Sequence, residues 1–466
     1  MTPSALLTDR YQIAMLAAYF HRGLAGRRAT CELFTRRLPK PRAFWLFAGL
    51  ERAVRRLREL RFGEEEVRYL AAQPGLRSVM TEDLAAYLRA FRFRGDVHAL
   101  PEGTVFFPQE PVIRVEATLP EAQLAETLLL SIVNHDVRVA SKAARVKIAC
   151  GDAAVMEFGT RRTHEEAAVD AARAAYIAGF VGTSNEAAGM RDGIPVFGTV
   201  AHMWTMAHAG AGGDDDDGEE EAFREWAAAY PEGSVFLVDT YDTPRGVDRA
   251  IACAGEAVKG VRLDSGDLAE LSKVARAKLD AAGLAAAQVV ASGDLNEYKV
   301  RALRESGARI DSYGVGTDVV LSLDAPAVGA VYKLVAIEAA TGETLPVAKR
   351  SPGKATWPGA KQVWRRRGAD GRFAADEIAL ADEPEAERRA EGAEPLLVPV
   401  LRGGEPAGPL PSLEAARERA RRQLAALPER LREIPAREEA VVTCEYPVAP
   451  SEALRGLLES LVGKEA

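Results

Sequence analysis

From Ala140 to about Thr317, short apolar, β-prone runs recur at 155–158, 180–183, 195–198, 235–238, 261–263, 289–291 and 310–314. Helix-length stretches rich in Ala, Glu, Arg and Lys separate them. Unbroken apolar runs, rather than alternating ones, mark strands buried on both faces. The pattern therefore predicts repeated βα units with parallel strands. Each run empties into a small polar turn, in order EFGTRR, GTSN, GTVAH, DTYDT, DSGD, SGDL and YGVGTD. Right-handed crossovers place all these turns at one end of the sheet, the end where barrels and open α/β sheets build their sites. One such turn would be ordinary capping chemistry, because Gly, Ser, Thr and Asp are what βα loops use. Seven, bearing Arg, His and Asp as well, predict an active site between Glu157 and Thr317.

Outside this region the pattern changes. Residues 1–130 read as mixed α and β, with a helical segment at 49–60 and a short, Pro-broken strand pattern at 103–115. Beyond 320, the stretch KRSPGKATWPGAKQVWRRR predicts a loop and hairpin, and 376–405 reads as polar and turn-rich. A helix is expected over 412–427, with Ser412 as N-cap, Glu414 in the first turn and Pro428 as the break. The expected organisation is a mixed α/β N-terminal domain over 1–130, an α/β barrel carrying the active site over 131–325, and a return to the first domain plus an appendage over 326–466. The acidic run 212–221, GGDDDDGEEE, is expected to be a solvated loop, since contiguous like charges repel.

Composition narrows the function classes. At 466 residues the chain can bury a large core, and a net charge of −8 argues against a general nucleic-acid binder. No stretch has the length and apolarity of a membrane span, and Asp9 and Arg10 interrupt any leader pattern. The expectation is a cytoplasmic protein acting on a small molecule. Cys31, Cys150, Cys253 and Cys444 lack metal-ligand spacing and read as incidental thiols.

The turns carry the chemistry. Ser292-Gly293-Asp294 and Gly314-Val315-Gly316-Thr317 offer free backbone N–H groups near helix starts, which receive phosphate well. Their place on two late strands matches where barrels often hold a phosphate. Asp264 and Asp267 sit beside Asp239 and Asp242; such carboxylates can hold Mg²⁺ on a diphosphate or fix ribose hydroxyls. Asp242 and Asp267 serve equally well as caps of the following helices. Arg262, inside a buried strand, must pair or point into a site, and its planar fork suits a carboxylate or diphosphate. Arg161 follows Glu157 in EFGTRR, while Arg162 is expected in a buried ion pair. His202, three residues after Thr199, stands at a strand end where it can act as a nucleophile toward phosphoryl or as an acid–base group.

Taken in order, LLTDRYQIAM, FTRRLPKPRAFWLFAGLE, ASKAARV, EFGTRR, GTSN, PVFGTVAHMW, LVDTYDT, GVRLDSGDL, SGDLNEY, SYGVGTDVV and PGAKQVWR resemble the nicotinate phosphoribosyltransferase family over most of residues 5–365. The resemblance implies a type II phosphoribosyltransferase fold, an incomplete parallel α/β barrel with a mixed α/β N-terminal domain, and a homodimer with shared active sites. It implies transfer of phosphoribosyl from phosphoribosyl diphosphate to nicotinate, giving nicotinate mononucleotide and diphosphate, driven by ATP and assisted by Mg²⁺. By motif, His202 is then the histidine transiently phosphorylated by ATP. Arg262 grips the nicotinate carboxylate, Thr199 contacts the same ligand, and Tyr11 stacks on its ring from the neighbouring subunit. Ser292, Gly293, Gly316 and Thr317 cradle the 5-phosphate, and Arg161 and Asp264 serve the diphosphate and ribose. Two positions depart from the pattern: Met203 stands where the family usually has a small polar residue, and Arg10 replaces a common apolar one. The rivals are a sister enzyme for nicotinamide or quinolinate and a non-catalytic phosphosugar-binding barrel.

Overall fold

The structure, a computed structural model, describes residues 5–40, 42–210, 217–232, 234–349, 356–436 and 445–462. The chain divides into two compact units, residues 1–141, 327–432 and 441–466 in one and residues 142–326 and 433–440 in the other. The division falls inside a 32-residue helix, Leu119–Cys150. The hydrophobic pattern did not announce this helix. Its residues Val133, Val137, Val139, Ala140, Ala143, Ala144 and Val146 are all fully buried, so it lacks the polar face that makes an amphipathic helix visible. Among the described residues no helix is long and apolar enough to cross a membrane.

The first unit is built on strand Arg28–Thr35, buried from its second residue onward. It pairs antiparallel with Pro111–Thr118 on one side and with Ala330–Glu338 on the other, inside a seven-stranded sheet. Short helices bury one face each, with Ile13, Leu16 and Ala17 meeting Leu84, Ala85 and Leu88 in one cluster. The stretch expected to hold a loop and hairpin supplies one strand, Lys361–Arg367, which pairs antiparallel with Phe373–Leu380 beyond its end. The stretch from residue 376 is more ordered than its polarity suggests, because the polar residues find partners. Asp376 is buried with Arg365, whose Nε donates to its Oδ1 at 3.0 Å, and Tyr446 OH donates to the same oxygen at 2.8 Å. Asp376→Ala would strand the Arg365 guanidinium without its counter-charge. The expected loss is about 3–5 kcal/mol of unfolding free energy, read from urea denaturation. Ser412 caps helix Leu413–Ala426, accepting from the Ala415 N–H at 3.2 Å.

The second unit holds a six-stranded, wholly parallel sheet in the order Gly182–Thr183, Ala154–Glu157, Ser312–Val315, Gln288–Ala291, Val258–Leu263, Ser234–Leu237. The last strand in sequence pairs with the first, as in a closing barrel. The ring stays open between Gly182–Thr183 and Ser234–Leu237, so the fold is an incomplete parallel α/β barrel. The run at 195–198 does not become a strand. Val196 makes a single parallel bridge to Thr183, and Pro195, having no N–H, cannot donate to a ladder. Thr199 and His202 lie in the chain that follows this bridge. Helices cover the outside, and Phe236, Val261 and Val289 from three strands pack with Val247, Ala275 and Leu279.

In the acidic run, residues 211–216 lie outside the described residues. Its second half is not a solvated loop: Glu219 opens helix Glu219–Ala229, is fully buried and lies 2.8 Å from Arg249 Nη1, which also contacts Asp217 at 2.7 Å. Acidic residues at a helix N-terminus are favoured by the helix dipole. Cys31 and Cys150 are buried, and burial pushes both thiols up to about 12. They hold no thiolate at neutral pH. Cys444 lies outside the described residues.

Candidate functional site

The turns after the six parallel strands leave at one end of the sheet, and those after the last three strands, with the turn after Glu157, enclose a cavity of about 410 Å³. Its walls include Arg161, Arg262, Asp264, Ser292, Gly293, Gly316 and Thr317, seven of the residues singled out in the sequence.

Arg262 is the hub. It lies on strand Val258–Leu263, and each part of its fork has a partner: Nε donates to Ser292 Oγ at 2.7 Å, Nη1 to Thr199 Oγ1 at 3.0 Å and Nη2 to Asp264 Oδ1 at 2.7 Å. The guanidinium also lies over the Phe158 ring, 5.7 Å from its centroid. Ser292 in turn donates to Asp264 Oδ1. Burial works to raise the Asp264 pKa, but the Ser292 hydrogen bond and the Arg262 charge outweigh it and hold the carboxyl below its usual value. Asp264 is therefore a carboxylate at neutral pH.

A second carboxylate stands behind it. Asp239 Oδ2 accepts from the Asp264 N–H at 3.0 Å and from the Ser265 hydroxyl at 2.6 Å. Its Oδ1 is buried, accepts no hydrogen bond among the described residues, and lies 3.9 Å from His202 Nε2. His202 begins helix His202–Ala207, and its other nitrogen, Nδ1, meets Thr240 Oγ1 at 3.1 Å. The imidazole is thus oriented from both edges while its side chain stays 42% exposed.

The two glycine turns have the predicted character. Gly293 adopts φ +92, and a Cβ there would stand 2.0 Å from the Asp264 carbonyl oxygen; at Gly316 it would stand 2.6 Å from the Phe158 carbonyl oxygen. Both approaches need glycine. Asp242 and Asp267 are helix caps, Asp242 accepting from the Arg245 N–H at 2.9 Å and Asp267 from the Ala269 N–H at 3.1 Å. Arg162 departs from expectation: it is exposed, not in a buried pair, because Thr160–Arg162 forms a 3₁₀ turn at the cavity rim. Glu157 shapes that turn from beneath. Burial raises its pKa against the Thr183 hydroxyl and the Gly159 N–H, both of which donate to it.

Three contributors escaped the sequence reading: Phe158 under the Arg262 fork, Thr240 on the histidine, and Lys299, which lines the cavity and donates to the Asp294 carbonyl at 2.7 Å. Each lies within or just after a quoted motif, which was the available signal. Tyr11 belongs to the first unit, on helix Arg10–His21, and is 48% exposed. Among the described residues no group of three or more His, Cys, Asp or Glu is placed to hold a metal ion.

The family model for the nicotinate phosphoribosyltransferase (NAPRTase) N-terminal domain matches residues 6–134, and that for the NAPRTase family matches residues 153–357. A nicotinate phosphoribosyltransferase of Mycobacterium tuberculosis is 43% identical over 426 residues, covering 91% of this chain and 92% of that protein. One from Bacillus subtilis is 46% identical over 389 residues, covering 81% and 76%. The crystal structure of human nicotinic acid phosphoribosyltransferase superimposes with a TM-score of 0.82 at 30% identity, covering 98% of this chain and 99% of that one.

Proposed function

The chain belongs to the nicotinate phosphoribosyltransferase family, and from that premise we propose that it transfers phosphoribosyl from phosphoribosyl diphosphate to nicotinate in NAD biosynthesis, with ATP hydrolysis coupled through His202. The observation that carries this reading is the Arg262 fork. It reaches Thr199 in one direction and Ser292 and Asp264 in the other, at the wall of a cavity that ends in two glycine turns.

The roles follow from the charges the reaction moves. The 5-phosphate is assigned to the N–H groups around Ser292, Gly293, Gly316 and Thr317, and the nicotinate carboxylate to Arg262 and Thr199. The pyridine nitrogen attacks the anomeric carbon with its own lone pair, so no base is required. The C–O bond to diphosphate breaks as the C–N bond forms. Positive charge grows on the ribose, where the Asp264 carboxylate opposes it, while Arg161 meets negative charge on the diphosphate.

Mg²⁺ on a diphosphate needs only one or two protein carboxylates. Asp264, which lines the cavity, fits that demand. When bound, the ion would neutralise charge on the leaving group. Tyr11 is assigned to the pyridine ring of a second copy, which makes the working unit a homodimer with shared sites.

Incubation with nicotinate, phosphoribosyl diphosphate, Mg²⁺ and ATP should yield nicotinate mononucleotide and diphosphate. Nicotinamide should react at least about 10²-fold less efficiently, because it offers the Arg262 fork no carboxylate to receive its charge-assisted hydrogen bonds. Absence of product, or equal use of the amide, would overturn the assignment.

A further inference from the structure

A buried charge cluster lies outside the residues given roles above. Lys142, in the ASKAARV string, is fully buried. Its Nζ lies 2.7 Å from Glu297 Oε2, 2.7 Å from Asp318 Oδ1 and 3.2 Å from Asp324 Oδ1. Glu297 also takes Arg145 Nε at 2.9 Å. Three carboxylates thus face two cations; Lys142, Arg145, Glu297 and Asp324 are buried, and Asp318 is partly exposed.

The position of two of these carboxylates gives the cluster its meaning. Glu297 is the first residue of helix Glu297–Glu305, directly after the Ser292-Gly293-Asp294 turn and its cap Asn296. Asp318 is the second residue of helix Thr317–Leu321, directly after Gly316. Lys142 therefore ties together the starts of the two helices that leave the phosphate-receiving turns. Asn296 adds a parallel tie, capping its own helix through Oδ1 and donating from Nδ2 to Asp318 Oδ2 at 3.2 Å.

The sheet does not do this job. Strands Gln288–Ala291 and Ser312–Val315 are registered only at Val290 with Ser312 and Ala291 with Tyr313, and the ladder between them stops before either turn. Two sets of N–H donors can share one phosphate only if their spacing is held to about 0.5 Å. Without Lys142 the three carboxylates would have Arg145 as their remaining cation in this cluster, and repulsion would push Asp318 and its helix start away from Glu297. A buried ion pair is in itself weak evidence for stability, whereas fixing one arrangement is a use for which such a group is suited.

We propose that Lys142 is a positioning residue for phosphoribosyl binding: by bridging Glu297 and Asp318 it sets the distance between the 292–294 and 314–317 turns, and so the grip on the 5-phosphate. This rests on the assignment of those turns to the 5-phosphate under the proposed function.

The test separates the two ends of the substrate. Ribose 5-phosphate carries the 5-phosphate alone, and inorganic diphosphate with Mg²⁺ probes the other end. By titration calorimetry, Lys142→Met should weaken ribose 5-phosphate by at least about tenfold while changing diphosphate less than about twofold, the size of effect seen when supporting partners of a ligand shell are removed. Asp318→Asn, which keeps an acceptor for Asn296, should show the same split, and it decides the matter if Lys142→Met does not fold. Circular dichroism and thermal melting report folding of each. Equal weakening of both ligands, or of neither, would show the cluster to be structural only and overturn the proposal. Wild-type protein that does not bind ribose 5-phosphate would instead overturn the 5-phosphate assignment itself.

Discussion

Arg262→Ala is expected to lower kcat/KM for nicotinate by about 10²–10³-fold, and by clearly less for nicotinamide. Three terms act together. The variant loses the charge-assisted contact to the carboxylate, leaves Asp264 without its cation, and removes the donor that holds the Ser292 and Thr199 hydroxyls in place. Truncating one member of a desolvated charge pair costs about 2–5 kcal/mol, and each 1.36 kcal/mol is tenfold in rate. Steady-state kinetics with acid and amide side by side decides the matter. Equal losses for both pyridines would mean that Arg262 holds the turn together rather than selecting the substrate.

The same variant should alter the acid side of the pH profile. Asp264 sits below its usual carboxylate value, and Arg262 contributes to that lowering. A carboxyl depressed in the folded protein contributes stability that is present above the unfolded pKa and lost as pH falls through the folded one. Removing Arg262 raises the folded value towards the unfolded one, so the contribution shrinks and its loss is complete at higher pH. Thermal melts between pH 3 and about pH 7 would register this as a weaker dependence in the variant.

The legible parts of this protein are those whose signal is local. A strand buried on both faces is a short apolar run wherever it occurs, so the βα repeat could be read directly. The register of strand and turn then put Arg262, Asp264, Ser292 and Gly316 at one end of the sheet. Capping is equally local, which is why Ser412, Asp242 and Asp267 stand where helix-start chemistry puts them. What escaped depends on partners distant in the chain. Lys142 and Glu297 are 155 residues apart by number, and nothing in either neighbourhood marks them as a pair. Glu219 looked like one more solvated acid because its partner, Arg249, comes 30 residues later. Arg162 was misread for the converse reason: a short 3₁₀ turn swings it out to the rim, and the string EFGTRR does not reveal that geometry. The long Leu119–Cys150 helix was hidden by its own burial.

His202→Ala should abolish stimulation by ATP while leaving a slower, uncoupled transfer to nicotinate. The two activities separate because the imidazole does not touch the Arg262 fork and is linked to it through Asp239 and Asp264 and through the chain from Thr199. The histidine has the features a phosphoryl acceptor needs. It is partly open to solvent, Thr240 meets one ring nitrogen, and Asp239 faces the other at 3.9 Å, where a carboxylate can balance charge on the ring. In the proposed phosphorylation step the bond between the terminal phosphorus of ATP and its bridging oxygen would break, a nitrogen–phosphorus bond would form, and ADP would leave; water would later release phosphate. Alanine removes the acceptor without touching the groups assigned to nicotinate or to the 5-phosphate, so transfer itself should persist. The measurement is ATP hydrolysed per nicotinate mononucleotide formed, together with acid-labile label retained from terminally labelled ATP. Wild-type protein should show both signals and the variant neither. An unchanged ratio in the variant would assign His202 to positioning of the 199–202 segment beside Arg262, through Thr199.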